Sequence, residues 1–302
     1  MPYPRSSITV EAPKNLSLRS RYWDDRDARA EFKKFLLAIH GLDLSLWEER
    51  GFWDDAYTPF SLFDGDRVVS SVCLYAMDMV VGGHPCKVGQ FSGVGTLAEF
   101  RRQGLNRELT RAALEWASPT HTGFFLFADD DAVPFYRRCG FEPAPETSWT
   151  MVVEKPTLRP GLRKLDPEDD RDIELVFNLA CARNPVSDVL GVFNPKLLMF
   201  HWLLLLREHG YFVPDLEVAV FFKTEGDVMT LIDVVGKQVP PFCDLHPYLA
   251  GETRREVRFG FMPDKMKVEA TGRLPLPGNN THVLPPFRWP ADEYMVPHTA
   301  HA

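Results

Sequence analysis

Cysteine is scarce in this chain, with five in 302 residues, and Cys73, Cys86, Cys139, Cys181 and Cys243 form no CxxC pair. An odd, scattered set excludes a disulfide framework and fits reduced thiols in the cytoplasm. Long hydrophobic runs are also missing. The longest, LLMFHWLLLL at 197–206, contains His201 and falls well short of the roughly 20 residues that span a bilayer. The N-terminal MPYPRSSITVEAPKN has no apolar stretch of the secretory type. The expectation is a soluble cytoplasmic protein without a membrane partner, in which the sequons at Asn15 and Asn279 carry no weight. Positive charge is in deficit, with 34 Lys and Arg against 42 Asp and Glu and a net charge of −8. That argues against a general nucleic-acid binder, although a local arginine cluster can still hold a phosphate.

What is present is ordinary globular material, 45% hydrophobic and 25% charged. A chain of this length is expected to split into two domains of about 150 residues, and the Pro/Gly-punctuated EKPTLRPG at 154–161 is the natural boundary. We therefore expect domains 1–155 and 156–302. In the first, residues 16–23 read as a strand. Residues 24–41 read as a helix with an acidic start, closed by Gly41. Turn signals at Asp64-Gly65 and Gly82-Gly83 separate β-rich runs into a three-strand meander. Leu105, Leu109, Ala112, Ala113 and Trp116 share one face of a helix, FFLFA at 124–128 is a buried strand, and DAVPFYRRCGF is a short helix closed by Gly140. The second half repeats the theme, with an amphipathic helix after residue 166 and a hairpin turning at Glu225-Gly226, and so reads as a distant copy. The Pro-rich stretch from 271 onward is expected to wrap the second domain as a loop or edge strand.

The chemistry concentrates in TLAEFRRQGLNREL at 96–109. Two arginines stand directly before a helix start, where unpaired N–H groups and the positive end of the dipole already disfavour cations. An anion is expected there. If the strand runs through Thr96 and the helix begins near Gly104, the amides of Arg101 to Asn106 converge into an anion nest. Gly104 then lets the backbone approach a ligand, and Arg101, Arg102, Arg107 and Arg111 offset the charge of a diphosphate. Gly93-Val-Gly95-Thr-Leu-Ala98 also satisfies the GxGxxA dinucleotide pattern. That pattern would bury Gly104 inside a helix and leave the acid, Asp129, 31 residues beyond Ala98, where about 20 is expected. It is the weaker reading.

At these residues the sequence resembles the GCN5-related N-acetyltransferases (GNAT). Their acyl-CoA signature Q/R-x-x-G-x-G/A is matched by Arg101-Arg-Gln-Gly104-Leu-Asn106, with Asn106 in place of the small residue. Ala132-Val-Pro-Phe-Tyr136-Arg-Arg-Cys-Gly140-Phe141 is similar to the family's A-x-x-F-Y-x-x-x-G-F segment. The overall plan resembles tandem GNAT proteins of the Eis type, with a degenerate second domain and, at 302 residues, no length for the third domain of that branch. The resemblance implies an α/β (α+β) fold of two GNAT-like domains, each a mixed, largely antiparallel sheet flanked by helices. It also implies an acetyl-CoA co-substrate bound through Val94, Thr96, Arg101, Arg102, Gly104, Leu105, Asn106 and Arg107, with Tyr136 as the acid toward the CoA thiolate.

The implied reaction is direct acetyl transfer to a primary amine of a small molecule or peptide. The base stays open among Glu99, Asp129, Asp130, His84, His121, a water and the terminal carboxylate. A non-catalytic acyl-CoA-binding module is the alternative, and homo-oligomerisation is left open. No metal is expected, since Cys243-x-x-His246 and His298-x-x-His301 each lack a companion pair. Cys139 is expected to be a small buried hydrophobe. Trp47, Phe52 and Trp53, with the acids around them, would either border a cationic acceptor through cation–π contact or simply pack a helix.

Overall fold

A computed structural model describes residues 15–249, 255–273, 275–278 and 280–302. The first half runs β1 (Ser17–Ser20), α1 (Arg26–His40), α2 (Ser45–Glu49), β2 (Tyr57–Asp64), β3 (Arg67–Val81), β4 (His84–Thr96), α3 (Leu105–Ala117), β5 (Gly123–Phe127), α4 (Val133–Arg138), β6 (Glu142–Pro143) and β7 (Ser148–Val153). The second runs β8 (Arg163–Lys164), α5 (Asp170–Cys181), β9 (Leu190–Val192), α6 (Pro195–Phe200), β10 (Gly210–Val213), β11 (Val218–Glu225), β12 (Val228–Val235), α7 (Phe242–Leu249), β13 (Arg255–Phe259), β14 (Thr271–Arg273) and β15 (Thr281–Val283).

Local signals place these elements well. The side chain of Asp25 caps α1 by accepting from the Ala28 N–H at 3.0 Å, and Gly41, left-handed at φ +67°, closes it. The meander strands pair antiparallel around the two glycine turns. Alternation along β2 and β3 then decides which face each side chain takes. Leu62, Val72 and Leu74 meet Leu105, Leu109 and Ala112 of α3 on one face. Phe63, Cys73 and Tyr75 meet Phe32, Phe35 and Leu36 of α1 on the other.

Two mixed sheets result, ordered β1-β2-β3-β4-β5-β15-β6, with β9 also pairing β3, and β14-β7-β13-β12-β11-β10-β8. In the first, β4 and β5 are parallel only from Val88↔Gly123 to Phe91↔Leu126. Beyond Phe91 they part. There β4 carries a bulge: Cys73 faces Ser92 and Ser71 faces Gly95, so one extra residue is inserted against β3. Gly93 is left-handed at φ +55°, and a Cβ on it would lie 2.9 Å from the Tyr57 hydroxyl.

Two expectations about the halves need correction. The chain does not divide cleanly at residue 155, because β7 belongs to the second sheet and β9 and β15 belong to the first. The stretch from 271 does not merely wrap the second domain either. β14 edges the second sheet, whereas β15 inserts between β5 and β6 of the first. Residues 274 and 279 of that stretch, the latter the second sequon, lie outside the described residues. These pairings join residues more than 100 positions apart, so no local pattern announces them.

Candidate active site

The parting of β4 from β5 opens a cavity of about 770 Å³. Its wall includes every residue expected to hold the co-substrate: Val94, Thr96, Arg101, Arg102, Gly104, Leu105, Asn106 and Arg107. Residues 101–104 form turns rather than helix, and α3 begins at Leu105 behind Gly104, which is left-handed at φ +79°. Arg102 is left-handed as well, at φ +64°, a strained state for a residue with a Cβ. Alternation of left-handed with right-handed residues is the backbone pattern that lets successive amides converge on one ligand. Among the described residues, the N–H groups of Arg102, Gln103, Gly104, Leu105 and Asn106 donate to no group of the chain, while Arg107 N–H already reaches the Gly104 carbonyl at 3.0 Å. Five consecutive free amides at a helix start, among exposed arginines, form an anion cradle.

Asn106 departs from the family's small residue without filling the cradle. Its amide oxygen accepts from the Ser70 hydroxyl at 2.7 Å and the Thr96 hydroxyl at 2.9 Å, tying the first turn of α3 to the ends of β3 and β4. The Arg101 Nε donates to the Thr96 carbonyl at 3.1 Å, bracing the loop from the other end. Arg111 does not join the cradle. It pairs with Glu108 at 3.2 Å and Glu115 at 2.6 Å. The dinucleotide reading fails as well, since Gly93 and Gly95 lie in a strand bonded antiparallel to β3.

Tyr136 is buried, edge-on to Phe135 at 5.1 Å and Phe141 at 6.1 Å. The cavity wall beside it is made by Ala132, Phe135 and Cys139. Burial first, then the nearby Asp129 and Cys139, push the phenol's pKa up, so it holds its proton. Cys139 is not the buried hydrophobe expected; it is half-exposed on the cavity wall. The aromatic stretch resolves as packing: Trp47 is 2% exposed, and its ring stands 6.5 Å from that of Trp53 in the core. Glu48 pairs with Arg29 and Lys33, and Asp54 pairs with Lys196 at 2.8 Å.

A second cavity, about 590 Å³, lies on the other side of the bulge. Ser92 and Gly93 belong to it, Val94 to Thr96 belong to the first, and His40 borders both. Its remaining wall comes from Leu42 and Tyr57 and from the second half of the chain, including Phe200, His201, His298 and His301. Sequence reading missed this site because its residues come from distant segments. His40, in the last turn of α1, was the nearest available signal. Of the proposed bases, Asp129 lines the first cavity, and Ala302 lines the second, where its N–H donates to the Gln90 side chain at 3.0 Å. Glu99 pairs with Arg67 at 3.1 Å, and buried His121 bonds the Ala117 carbonyl.

Residues 49–144 match the family model described as the acetyltransferase (GNAT) domain. This stretch is a GNAT domain. It contains the bulge, the cradle and Tyr136. No curated protein matches the sequence. Among solved structures, the chain is similar to a conserved protein of Enterococcus faecalis V583 described as a probable N-acyltransferase. Identity is 12% and TM-score 0.57, covering 89% of this chain and 71% of that one. It is also similar to a GCN5-related N-acetyltransferase from Kribbella flavida, with 17% identity, TM-score 0.53 and coverages of 89% and 71%. Eis1 from Mycobacterium abscessus gives 15% identity, TM-score 0.53 and coverages of 89% and 73%. At these identities the likeness is one of fold, and it extends across both sheets. Among the described residues, no helix is long and apolar enough to cross a membrane.

Proposed function

We propose that the chain is an acetyl-CoA-dependent N-acetyltransferase that passes an acetyl group directly to a primary amine, with the GNAT domain catalytic and the second, degenerate GNAT-like unit walling the acceptor side. The observation that carries this is the run of free amides from Arg102 to Asn106, set among arginines at the head of α3. These groups fit a pyrophosphate: five N–H donors, a helix dipole and guanidinium charge all favour an anion there. Acetyl-CoA supplies the activated acyl group.

The chain's own residues do the rest. The parted edge of β4 at Val94 to Thr96 offers backbone to an extended ligand arm entering the cleft, and an amide at the bulge can stabilise charge developing on the thioester oxygen. The acceptor enters from the second cavity, so its nitrogen meets the acyl carbon at the bulge that separates the two. The N–C bond forms as the C–S bond breaks and the electron pair leaves on sulfur; Tyr136, held protonated by burial, supplies the proton that makes the thiol, while the nitrogen gives up its extra proton to solvent, from which Tyr136 is reprotonated.

The position of Tyr136 behind the wall built by Phe135 and Cys139 supports a second reading, an acyl-CoA-binding module without turnover. One experiment separates the two. CoA should raise the melting temperature of wild type and of Tyr136→Phe equally, whereas free thiol release from acetyl-CoA with a panel of amines should fall at least about tenfold in the variant. CoA-induced stabilisation without thiol release in wild type would select the binding module.

A further inference from the structure

Residues 296–302 are anchored along their whole length. The fully buried Glu146 accepts the Val296 N–H at 2.8 Å. The His298 N–H reaches the Gly260 carbonyl at 2.8 Å, and the Thr299 hydroxyl bonds the buried Asp233. His201 donates from Nε2 to the His301 carbonyl at 2.7 Å, and the Ala302 N–H reaches the Gln90 side chain at 3.0 Å. Five holds of this kind, from Gln90 of β4 to Gly260 just after β13, fix one imidazole, that of His301, in the wall of the second cavity. We infer that His301 is the catalytic residue that takes the proton from the attacking nitrogen. The inference rests on the acetyltransferase reading and supplies the base that it lacks.

Three observations converge on this ring. The first is its place. His301 stacks on Phe127, with ring centroids 3.8 Å apart, and Phe127 follows Leu126, the last residue of β5 paired with β4. On β4 the same step leads to Ser92 and Gly93, which line the cavity that His301 lines. The imidazole therefore stands at the parting of the two strands, on its acceptor side. The second is a free nitrogen. The Val296 carbonyl is a hydrogen-bond partner of the ring, and among the described residues no group bonds the buried Nε2. The proton thus sits on Nδ1, and Nε2 keeps a lone pair. The third is charge. Burial first, then the imidazoles of His298 and His201, lower the ring's pKa well below its usual value, so the lone pair is available at neutral pH.

The neighbouring imidazoles are placed for other tasks. His298 Nδ1 lies 3.0 Å from where a Cβ on Gly260 would stand, on the side of the second sheet, and His201 spends its N–H on the His301 carbonyl. Ala302, with its terminal carboxylate, borders the same cavity and is the rival base. That carboxylate draws an ammonium in. The free-base nitrogen then attacks and the N–C bond forms. Nε2 takes the proton that the nitrogen sheds and passes it to solvent, while the C–S bond breaks and Tyr136 protonates the sulfur.

The test uses the full chain, acetyl-CoA and the amine that wild type turns over fastest, with thiol release as the readout. His301→Ala should keep its CoA-induced stabilisation and its KM for acetyl-CoA, and lose about a hundredfold or more in kcat. Added imidazole should restore part of the rate, and substituted imidazoles should restore it in the order of their basicity, a response that a packing role would not give. His301→Gln, which fills the space, should be as slow and resist rescue. Turnover by His301→Ala within about threefold of wild type, or a loss that no imidazole restores, overturns the assignment and leaves the proton to the Ala302 carboxylate or to water. Absence of thiol release in wild type would instead remove the acetyltransferase reading on which it stands.

Discussion

Gly104→Ala isolates the cradle from the rest of the fold. Gly104 is left-handed at φ +79°, and a Cβ built on it meets no atom of the chain within 4 Å. The substitution therefore adds backbone strain without a clash. Left-handed geometry costs a residue with a Cβ about 1–2 kcal/mol, partly offset by about 0.4–1 kcal/mol from the stiffer unfolded chain. The free protein should lose about 1 kcal/mol, a fall of about 2–4 °C in melting temperature for a cooperative unit of this size. The effect on CoA should be much larger. Relief of the strain rotates the peptides on either side of residue 104 and so withdraws two amides from the anion. Hydrogen bonds to charged groups contribute about 1.5–3 kcal/mol each, so the loss should be at least about 3 kcal/mol, or roughly a hundredfold in affinity. At CoA one hundred times the wild-type Kd, ligand stabilisation should drop from about 2.7 to about 0.4 kcal/mol. Thermal melts with and without CoA, backed by titration calorimetry, read both numbers. A variant that CoA stabilises as strongly as wild type would refute the cradle.

Other perturbations follow from the same geometry. Asn106→Ala leaves the Ser70 and Thr96 hydroxyls without their shared acceptor and should cost about 1–2 kcal/mol by denaturant titration, with CoA affinity falling as α3 loosens from β4. Asp233→Ala strands Arg183, whose side chain is 6% exposed and donates at 2.7 Å to the fully buried Asp233; chemical denaturation should show a loss of about 3–5 kcal/mol. Acid should weaken the fold through His201. The buried ring stays neutral down to about 4, while the unfolded ring takes a proton below 6.5. The unfolded state therefore binds more protons in that window, and stability should fall as pH drops from 6.5 toward 4, by up to about 1.4 kcal/mol per pH unit. His201→Gln should flatten this slope in denaturation curves taken between those pH values.

The parts legible in the sequence were those whose cause is local. Asp25 and Gly41 bracket α1, the two glycine turns separate the meander, and the glycine before Leu105 starts α3. The cradle was readable for the same reason, since its donors are consecutive. What escaped needs long-range pairing. β15 lies against Phe125 to Phe127, some 150 residues earlier, and the second cavity gathers residues from both ends of the chain. The role of Asn106 escaped too, because nothing local says that Ser70 and Thr96 would claim its side chain. Tyr136 shows the remaining limit: its motif was recognisable, but whether a side chain faces the cleft or the core depends on the packing of Phe135 and Phe141.

The second sheet repeats the plan of the first without its anion site, and proline accounts for the difference. β11, β12, α7 and the parallel β13 follow the order of β3, β4, α3 and the parallel β5. In the first unit the link from strand to helix presents free amides. In the second, Pro240 and Pro241 stand immediately before α7, and a proline has no N–H to offer a phosphate. Without such a run of amides, this unit keeps a structural task at the second cavity. The buried Asp233 of β12 is gripped by Arg183 and receives the hydroxyl of Thr299 at 2.5 Å, while Gly260 accepts the His298 N–H at 2.8 Å. That grip holds the turn carrying His298 and His301, and His301 in turn stacks on Phe127 of the first sheet at 3.8 Å. The second unit thus fixes the wall of the second cavity against the first sheet, and under the proposed function loosening Asp233 should disturb acceptor selection before it disturbs CoA binding.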